Sequence, residues 1–533
     1  MRMPTTQGEG SVPPPDLESR EGLAAALRRT QRLRTEGDWR DLPSLVPALF
    51  ANVGPVRPDI RDERGRLARA TDETVREICR RTESHRLVSL DEELRRTAAF
   101  PPIAHLPVQV RSHDSSDDDR VGRQVSVEAL GVLSCHPSGF VREAAVAALA
   151  WHANQAVPWL LVRIVDWVPV VRVLSVRTLR SLLEPTNATP FLGCLPLLQR
   201  LRGFSRVDVN PFLDHANACV RDAPDETLDL GFRNPHAAVR RAILQLPAIG
   251  HRLDSRRLER ALRDEDSGVR LRAAQLLRTR KPMGRPLCEQ MMRDPVGRIR
   301  LIGVELAVGE HPDLLHRAAV DPHGGVRSHA GYYLARDHEF NARAFYRNAV
   351  SNGDFRVGVI LGLGDVGTTD DWERLVPALD ESPTIARAAL RSMHHLAPEQ
   401  TRELRLMMVD DRRTGVAKEA ARSLSKEIRS GDESVIREYL RSPRLHVRLH
   451  AVALASRLST WQSAEVLFPV TDPTLRQSVE RFTSRWTEKY LGYRSRISHE
   501  DAQRVAELLA AAPHVSPGTR ARLERMVRIS ARR

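Results

Sequence analysis

Three glycines form the pattern in this sequence that comes nearest to cofactor chemistry. Gly362, Gly364 and Gly367 follow the apolar run VGVIL and precede a helical segment, as do the glycines that approach the pyrophosphate of a bound dinucleotide. Such a site also requires a parallel sheet, whereas the flanking sequence has helical periodicity on both sides. Glycine is equally favoured where one helix turns into the next. We therefore interpret the segment as an inter-helix turn, and no cofactor is predicted.

Several histidine, cysteine and acidic residues have spacings that could bind a metal ion. The pairs are His446 with His450, His394 with His395, and His215 with Cys219. A zinc site needs at least a third ligand, which the neighbouring sequence does not supply. The segment from Asp117 to Glu128 resembles a calcium loop, but Val121 replaces one of its ligands. No metal site is predicted. Because no phosphate-binding loop or activated nucleophile is found either, the chain is predicted not to be an enzyme.

Three tryptophans could form a binding surface instead. Trp151, Trp159 and Trp167 lie eight residues apart, a spacing that can bring them together on adjacent helices. Aromatic side chains clustered in this way are typical of interaction sites. The alternative is that they are buried in the core.

A second candidate surface lies near the C-terminus. One helical row contains the basic residues, and the row beside it contains the aromatic ones. The two rows are Arg481, Arg485 and Lys489, and Phe482, Trp486 and Tyr490. Such rows suit nucleic acid, through phosphate contacts and base stacking. The alternative is that the aromatic side chains face the preceding repeat and the charges are solvated.

The charge of the chain is consistent with a basic surface. Its 533 residues include 82 Lys and Arg against 68 Asp and Glu, a net charge of +14. Only four of the basic residues are lysine, a skew that codon bias in a GC-rich genome produces, so the arginine count by itself indicates no function. Half of the net charge lies from Arg476 onward. Five scattered cysteines indicate buried thiols in a reducing compartment, and no signal peptide or membrane span is visible. We expect a soluble, cytoplasmic protein.

These residues belong to a chain organised by one repeated phrase. It consists of a polar residue, often followed by proline, then Val or Ile next to Arg, and then an Ala- and Leu-rich helix. Its copies begin at His136, Asp166, Asn234, Asp264, Asp294, Asp321, Asp380, Asp411, Ser442 and Asp472. Most starts lie about thirty residues apart, and two intervals are close to twice that length. The long intervals predict degenerate copies near residue 200 and near Ser351, or about twelve units in all.

Each unit is predicted to be a pair of helices. Asp, Asn or Ser followed by Pro is typical of an N-cap and the first helical position. Val, Ala and Leu then recur at steps of three and four residues, as on one buried helical face. A unit of ~30 residues holds two helices and their turns. Because one pair cannot bury both apolar faces, the pairs must stack. The predicted fold is all-α, an α-solenoid of about twelve helix pairs with helical caps at both ends.

The chain is accordingly divided into five predicted regions. They are a disordered leader at 1–18, an N-terminal helical region or cap at 19–98, a Pro-rich and acidic linker at 99–122, the repeat solenoid at 123–490 and a basic C-terminal helical cap at 491–533. The leader and the linker are assigned from their proline, glycine and charged residues.

The phrase D-P-x-x-x-V-R-x-x-A-x-x-x-L resembles HEAT repeats of the short bacterial type, which is also found in phycobilisome lyases. The resemblance covers Ser126 to Trp486. It implies that the Asp and the Arg six residues later form a structural ladder between neighbouring repeats. The matching pairs are Asp166 with Arg172, Asp264 with Arg270, Asp294 with Arg300, and Asp321 with Arg327. The copies with Ala386 and Ala417 at the Arg position imply a broken ladder there.

The leading hypothesis is a non-enzymatic intracellular scaffold that binds a protein partner through the curved surface of the solenoid. The alternative is a nucleic-acid-binding protein, related to DNA repair, that uses its basic C-terminal surface. Some HEAT-like bacterial proteins are DNA glycosylases, but the likeness is limited to the repeat architecture and carries over no catalytic residue. A third hypothesis, from the likeness to phycobilin lyases, is a helper in cofactor attachment.

Overall fold

The computed structural model describes residues 16–51, 57–100, 125–280, 283–490, 499–513 and 515–531. These residues form helices and no strand, which confirms the all-α prediction. Among them, every helix is too short or too polar to traverse a bilayer. Most of the predicted leader and linker lies outside the described residues, as do Asp117 and Val121 of the calcium-like segment.

The chain divides into two compact units, Met1–Thr279 and Arg280–Arg533. The α-helices of the first unit are α1 (Arg20–Glu36), α2 (Leu42–Leu49), α3 (Arg61–Arg81), α4 (Leu87–Thr97), α5 (Val127–Leu133), α6 (Gly139–Ala150), α7 (Ala153–Arg163), α8 (Pro169–Arg180), α9 (Thr189–Leu192), α10 (Leu195–Leu201), α11 (Asn210–Arg221), α12 (Asp225–Phe232), α13 (Ala237–Leu244), α14 (Ser255–Ala261) and α15 (Ser267–Leu277). Those of the second unit are α16 (Arg285–Met292), α17 (Gly297–Ala307), α18 (Pro312–Ala318), α19 (Gly324–His338), α20 (Ala342–Ser351), α21 (Val357–Val366), α22 (Pro383–Leu396), α23 (Arg402–Met407), α24 (Thr414–Leu424), α25 (Glu433–Leu440), α26 (Leu445–Ala455), α27 (Thr460–Leu467), α28 (Arg476–Tyr490), α29 (His499–Ala510) and α30 (Pro517–Ala531). Short 3-10 helices lie at Trp39–Asp41, Pro58–Ile60, Ser84–Arg86, Pro185–Asn187, Ile249–His251, Thr369–Leu379, Met408–Asp410 and Pro473–Leu475.

Helices of the first unit pack in neighbouring pairs. Helix α5 packs on α6 and α7 packs on α8, while α6 and α8 lie side by side. Val141, Ala145 and Leu149 of α6 recur at four-residue steps and are buried between these neighbours. Burial of a Val or Leu side chain stabilises the fold by about 1.5–3 kcal/mol. This arrangement is consistent with a helical solenoid.

The N-terminal helices of the first unit pack directly on its repeat helices. Helix α3 packs on α5, and α4 packs on α7. The hydroxyl of Ser84 donates a hydrogen bond of 2.7 Å to the carbonyl of Gly193, and Arg200 reaches the carbonyl of His85 at 3.0 Å. The region therefore covers the repeat helices next to it.

The repeated phrase marks helix starts, but its first residue is not the N-cap that the sequence suggests. In nine of the ten copies an α-helix begins three residues after the first residue of the phrase. In eight of these nine copies the side chain of that residue accepts from the N–H two positions on, as in an Asx-type turn. Asp166 accepts from Val168 at 2.9 Å, and Asp294 accepts from Val296 at 2.8 Å. Asp354 of the degenerate copy near Ser351 forms the same turn.

The second unit contains the glycine-rich segment, and there the sequence interpretation was wrong in part. Gly362 and Gly364 lie inside α21, whereas only Gly367 follows its end. A Cβ atom on Gly362 would lie 2.3 Å from the ring of Tyr346, and one on Gly364 would lie 2.4 Å from Oγ of Ser392. The two glycines therefore let α21 pack closely against α20 and α22.

Candidate binding surface

Arginine residues of the phrase link consecutive helix pairs. Arg142 donates from Nη1 to the carbonyl of His136 at 3.0 Å, and from Nε and Nη2 to both carboxylate oxygens of Asp166 at 2.9 Å. Arg240 makes the same bidentate contact with Asp264 at 2.7 and 2.8 Å. Each guanidinium thus binds the turn of its own unit and the carboxylate that begins the next copy.

In the predicted ladder pairs the Arg and the Asp are in contact within one unit, whereas the resemblance implied a link between neighbouring units. Within each pair the Arg binds the main-chain oxygen of the Asp, not its carboxylate. The distances are 2.8 Å for Arg172 with Asp166, 2.9 Å for Arg270 with Asp264, 2.8 Å for Arg300 with Asp294 and 2.8 Å for Arg327 with Asp321. The link between units instead joins an Arg to a later Asp, as Arg300 does with Asp321 at 2.7 and 2.8 Å.

These links hold the aspartates ionised. Burial by itself would raise the pKa of the Asp264 carboxyl, but hydrogen bonds from Arg240 and from the N–H of Asp266 hold that pKa below its ordinary value. Burial would likewise raise the pKa of Asp166, but hydrogen bonds from Arg142 and from the N–H of Val168 hold that pKa below its ordinary value. Charge-assisted bidentate pairs are among the stronger hydrogen bonds in proteins.

A different link replaces the ladder where alanine occupies the Arg position. Between the copies that contain Ala386 and Ala417, Arg413 reaches back to the carbonyls of Leu379 and Glu381, both at 2.8 Å. Arg413 also pairs with its own Asp411 at 2.8 Å. The resemblance implied that the ladder is broken between these two copies. A link is present there, but its Arg belongs to the later copy and binds the earlier one.

Arg172 is a ladder arginine whose Nε and Nη2 atoms pair with no carboxylate of the described residues. It precedes the degenerate copy near residue 200, where Asp208 holds the turn position. Among the described residues, no ion pair joins Arg172 to Asp208 or to another acidic side chain. Arg327 also precedes a degenerate copy, but it pairs with Asp365 at 2.5 Å.

A groove of about 440 Å³ lies at this open position. It separates α8 from the segment that leads into α11, which packs against α9 and α10. Its basic side chains are Arg172, Arg177 and Arg180, and its acidic side chain is Asp208. Its apolar walls include Val173, Val176, Val207, Val209 and Phe212. The groove therefore combines an excess of positive charge with apolar surface.

Next to the groove, a cluster of buried charges ties α4 to the repeat helices. Asp166 accepts from Arg142, from Arg163 at 3.1 Å and from Arg95 at 3.4 Å. Asp91 of α4 lies 2.5 Å from Nη2 of Arg163 and 2.9 Å from Nε of Arg95. Three guanidinium groups thus share two carboxylates. Such a cluster is costly to bury unless all its members are present.

Trp167 covers this cluster and remains 56% exposed. The guanidinium carbons of Arg95 and Arg142 lie 4.3 and 4.5 Å from its ring centroid. Cation–π contacts of this geometry hold the ring in place. Trp167 therefore presents a rigid aromatic surface to solvent.

Apolar side chains beside Trp167 were not identified from the sequence. Phe140 and Val170 occupy the second position of α6 and of α8, and they are 73% and 54% exposed. Val173 follows on the same face of α8 and is 62% exposed. The signal that could have found Val170 and Val173 is the run VPVVRVLSV, which is apolar on faces that a half-buried helix keeps polar.

The three tryptophans do not form one patch. Trp159 is only 4% exposed, and it packs on Gly131 so tightly that a Cβ there would lie 2.2 Å from its ring. Trp151 is 81% exposed, but it follows the far end of α6, a helix of 12 residues. At 1.5 Å per residue the two ends are about 18 Å apart. Only Trp167 lies at the end of α6 that faces the start of α8.

The predicted C-terminal surface is also only partly present. Trp486 is 3% exposed and packs edge-on against Trp461 and Phe468, so it cannot stack on a base. Arg481 and Arg485 are exposed on α28. The side chains of Lys489 and Tyr490 lie outside the described residues.

The histidine pairs have structural surroundings. Burial and the neighbouring His446 and Lys418 lower the pKa of His450. His394 lies 3.0 Å from Glu427. Within the described part of the chain, no group of three or more His, Cys, Asp or Glu residues could hold a metal ion.

The chain was compared with protein-family models and with curated proteins. No protein-family model matches the chain, and a search of curated proteins found no match. The candidate surface therefore rests on the contacts of these residues alone.

Proposed function

We propose that this protein is a non-enzymatic scaffold that binds a protein partner through its helical repeats. In this proposal the repeats are HEAT-like, about twelve in number and capped by helices at both ends, and the protein acts in the cytoplasm. The observation that carries the proposal is the exposed apolar surface formed by Phe140 on α6, by Trp167 just before α8, and by Val170 and Val173 on α8, which lies beside α6. Contiguous exposed apolar side chains are typical of interaction sites.

The surroundings of Trp167 support this proposal. A tryptophan side chain supplies a large contact area, and its stacking on Arg95 and Arg142 reduces the entropy that it loses on binding. Residues that dominate binding energy are enriched in Trp and Arg and are flanked by contacts that exclude water. Phe140 and Val170 are placed to act as such flanking contacts.

The test is affinity capture from the cytosol of the source cells, using purified full-length protein and a variant with Trp167→Ala, Val170→Ser and Val173→Ser. Trp151→Ala is the matched control, because Trp151 is more exposed but lies at the other end of α6. The proposal predicts a partner that the triple variant loses and Trp151→Ala retains. Retention by both variants, or loss by both, would contradict it.

A second candidate function is binding to nucleic acid through the second unit. It is favoured by exposed basic residues on the packed helices α22 and α24 and on α28. They are Arg387, Arg391, Lys418, Arg422, Arg481 and Arg485. Because Trp486 is buried, this contact would use phosphates and not base stacking. It would be weak and strongly dependent on salt.

Fluorescence anisotropy with duplex DNA, single-stranded DNA and RNA tests this candidate. Binding that persists at near-physiological salt and is lost in Arg481→Glu with Arg485→Glu would support it. Binding that vanishes as the salt concentration rises would mean only the general attraction of a cationic surface.

A further inference from the structure

We propose that the groove at Arg172 binds a partner segment in which an Asp or Glu lies next to apolar side chains. At Arg142 and at Arg240 the guanidinium pairs with the carboxylate of the next copy. At Arg172 the partner's carboxylate would form this pair instead. This inference rests on the proposed function, since the groove shares Val173 with the proposed binding surface and the inference names the class of partner that binds there.

The first argument is the comparison between equivalent arginines. Arg142 and Arg240 each bind their own turn and also pair with a carboxylate of the following copy. Arg172 binds its own turn in the same way, through Nη1 and the carbonyl of Asp166. Its guanidinium is therefore held by the same contact, and Arg172 is one of the residues that line the groove.

The second argument is charge complementarity. Arg172, Arg177 and Arg180 line the groove, and Asp208 supplies the acidic group on its wall. Asp208 uses a carboxylate oxygen to accept from the N–H of Asn210 at 3.1 Å. The excess of positive charge favours a partner with more than one acidic residue, and a guanidinium matches the geometry of a carboxylate with two parallel hydrogen bonds.

The third argument is the apolar wall. Val173 is exposed, and Val176 and Val207 are partly exposed, where they line the groove. The volume of about 440 Å³ lies in the range of ligand pockets, about 300–1,000 Å³. A small anion would leave these valines in contact with water, whereas Leu or Val side chains beside the carboxylate would cover them. The groove therefore suits an acidic and apolar peptide segment better than a free anion.

The probes are three fluorescein-labelled peptides of equal length. In the first, Glu alternates with Leu. In the second, Lys replaces Glu, and in the third, Ser replaces Leu. Fluorescence anisotropy with the full-length protein is expected to show binding of the first peptide and much weaker binding of the other two. Equal binding of all three, or no binding of the first, would overturn the proposal.

Two variants place the contact at Arg172. Arg172→Met keeps the length of the side chain and is expected to weaken binding of the Glu–Leu peptide roughly tenfold or more, as the loss of a charge-assisted hydrogen bond does. Arg172→Lys keeps the charge but not the paired donors, so it should restore only part of the affinity. Arg240→Met is the matched control, because Arg240 already pairs with Asp264, and it should bind as the wild type does.

The outcomes also separate this inference from the proposed function. If Arg172→Met binds the peptide as tightly as the wild type, the inference fails, whatever affinity capture shows. If capture is still lost in the variant of Trp167, Val170 and Val173 in that case, the scaffold proposal stands without the inference. Thermal unfolding of each variant checks that it is folded, and Val173→Asp provides a second block of the groove that leaves Arg172 unchanged.

Discussion

Arg142 binds both carboxylate oxygens of Asp166 at 2.9 Å, and both side chains are fully closed to solvent. Asp166 thus completes a link between consecutive helix pairs and also neutralises part of a cluster that reaches α4. The same residue closes the turn before α8 through the N–H of Val168.

Asp166→Asn should destabilise the first unit by about 3–5 kcal/mol, the cost of leaving a buried charge without its partner. Asn preserves the turn, as Asn234 shows at the same position, so the loss reports the charge. Asp264→Asn, at a more exposed pair, should cost about 1–2 kcal/mol. Urea unfolding of both variants measures the difference, and equal losses would contradict the importance of the cluster.

The stability of the wild type should depend on pH through the same residue. The pKa of Asp166 is lower in the folded protein than its ordinary value, because hydrogen bonds from Arg142 and Val168 outweigh the effect of burial. Its contribution is therefore present above the unfolded pKa of about 3.9 and is lost as the pH falls further. The difference in unfolding free energy between the wild type and Asp166→Asn should therefore begin to shrink as the pH falls below about 4, and a constant difference would refute this.

Arg413→Ala should destabilise the second unit by about 1–3 kcal/mol, because the carbonyls of Leu379 and Glu381 lose a charged donor. The exposed neighbour Arg412 provides the control, and Arg412→Ala should change the free energy of unfolding by less than about 0.5 kcal/mol. Chemical denaturation monitored by circular dichroism distinguishes the two. No effect of Arg413→Ala would mean that this reverse link contributes nothing.

Gly364→Ala should destabilise the second unit by about 1–3 kcal/mol, since the added methyl group would overlap Ser392 and force α21 away from α22. Gly331→Ala is the matched control, because it lies in a helix with open space around its Cβ position. That variant should be neutral or more stable by up to about 1 kcal/mol. Thermal unfolding of both measures the effect, and equal stability would contradict close packing at Gly364.

Trp486→Ala should cost about 3–5 kcal/mol, as the loss of a large buried aromatic side chain does. Trp151→Ala should have little effect on stability, since Trp151 is 81% exposed. The measurement is the midpoint of thermal unfolding for each variant. A wild-type midpoint for Trp486→Ala would restore this residue as a candidate surface contact.

The sequence by itself determined the helical fold and the positions of its repeated helices. Val141, Ala145 and Leu149 are predictable because the spacing of apolar residues along one helix defines its buried face. The phrase located helix starts to within a few residues, although it was interpreted as an N-cap and not as the turn that Asp166 closes. That error has a local cause, since an Asp side chain can accept either from an N–H in a turn before the helix or, as an N-cap, from an N–H in the first turn of the helix.

Tertiary structure alone decided which side chains form a surface and that Arg172 has no carboxylate partner among the described residues. Arg142 and Arg172 occupy the same position of the phrase, and their sequence surroundings are alike. What differs is where the next copy places its carboxylate, within hydrogen-bond distance of Arg142 and out of reach of Arg172. Trp151, Trp159 and Trp167 were likewise indistinguishable by spacing, because burial depends on the neighbouring helices and not on the helix that carries the residue.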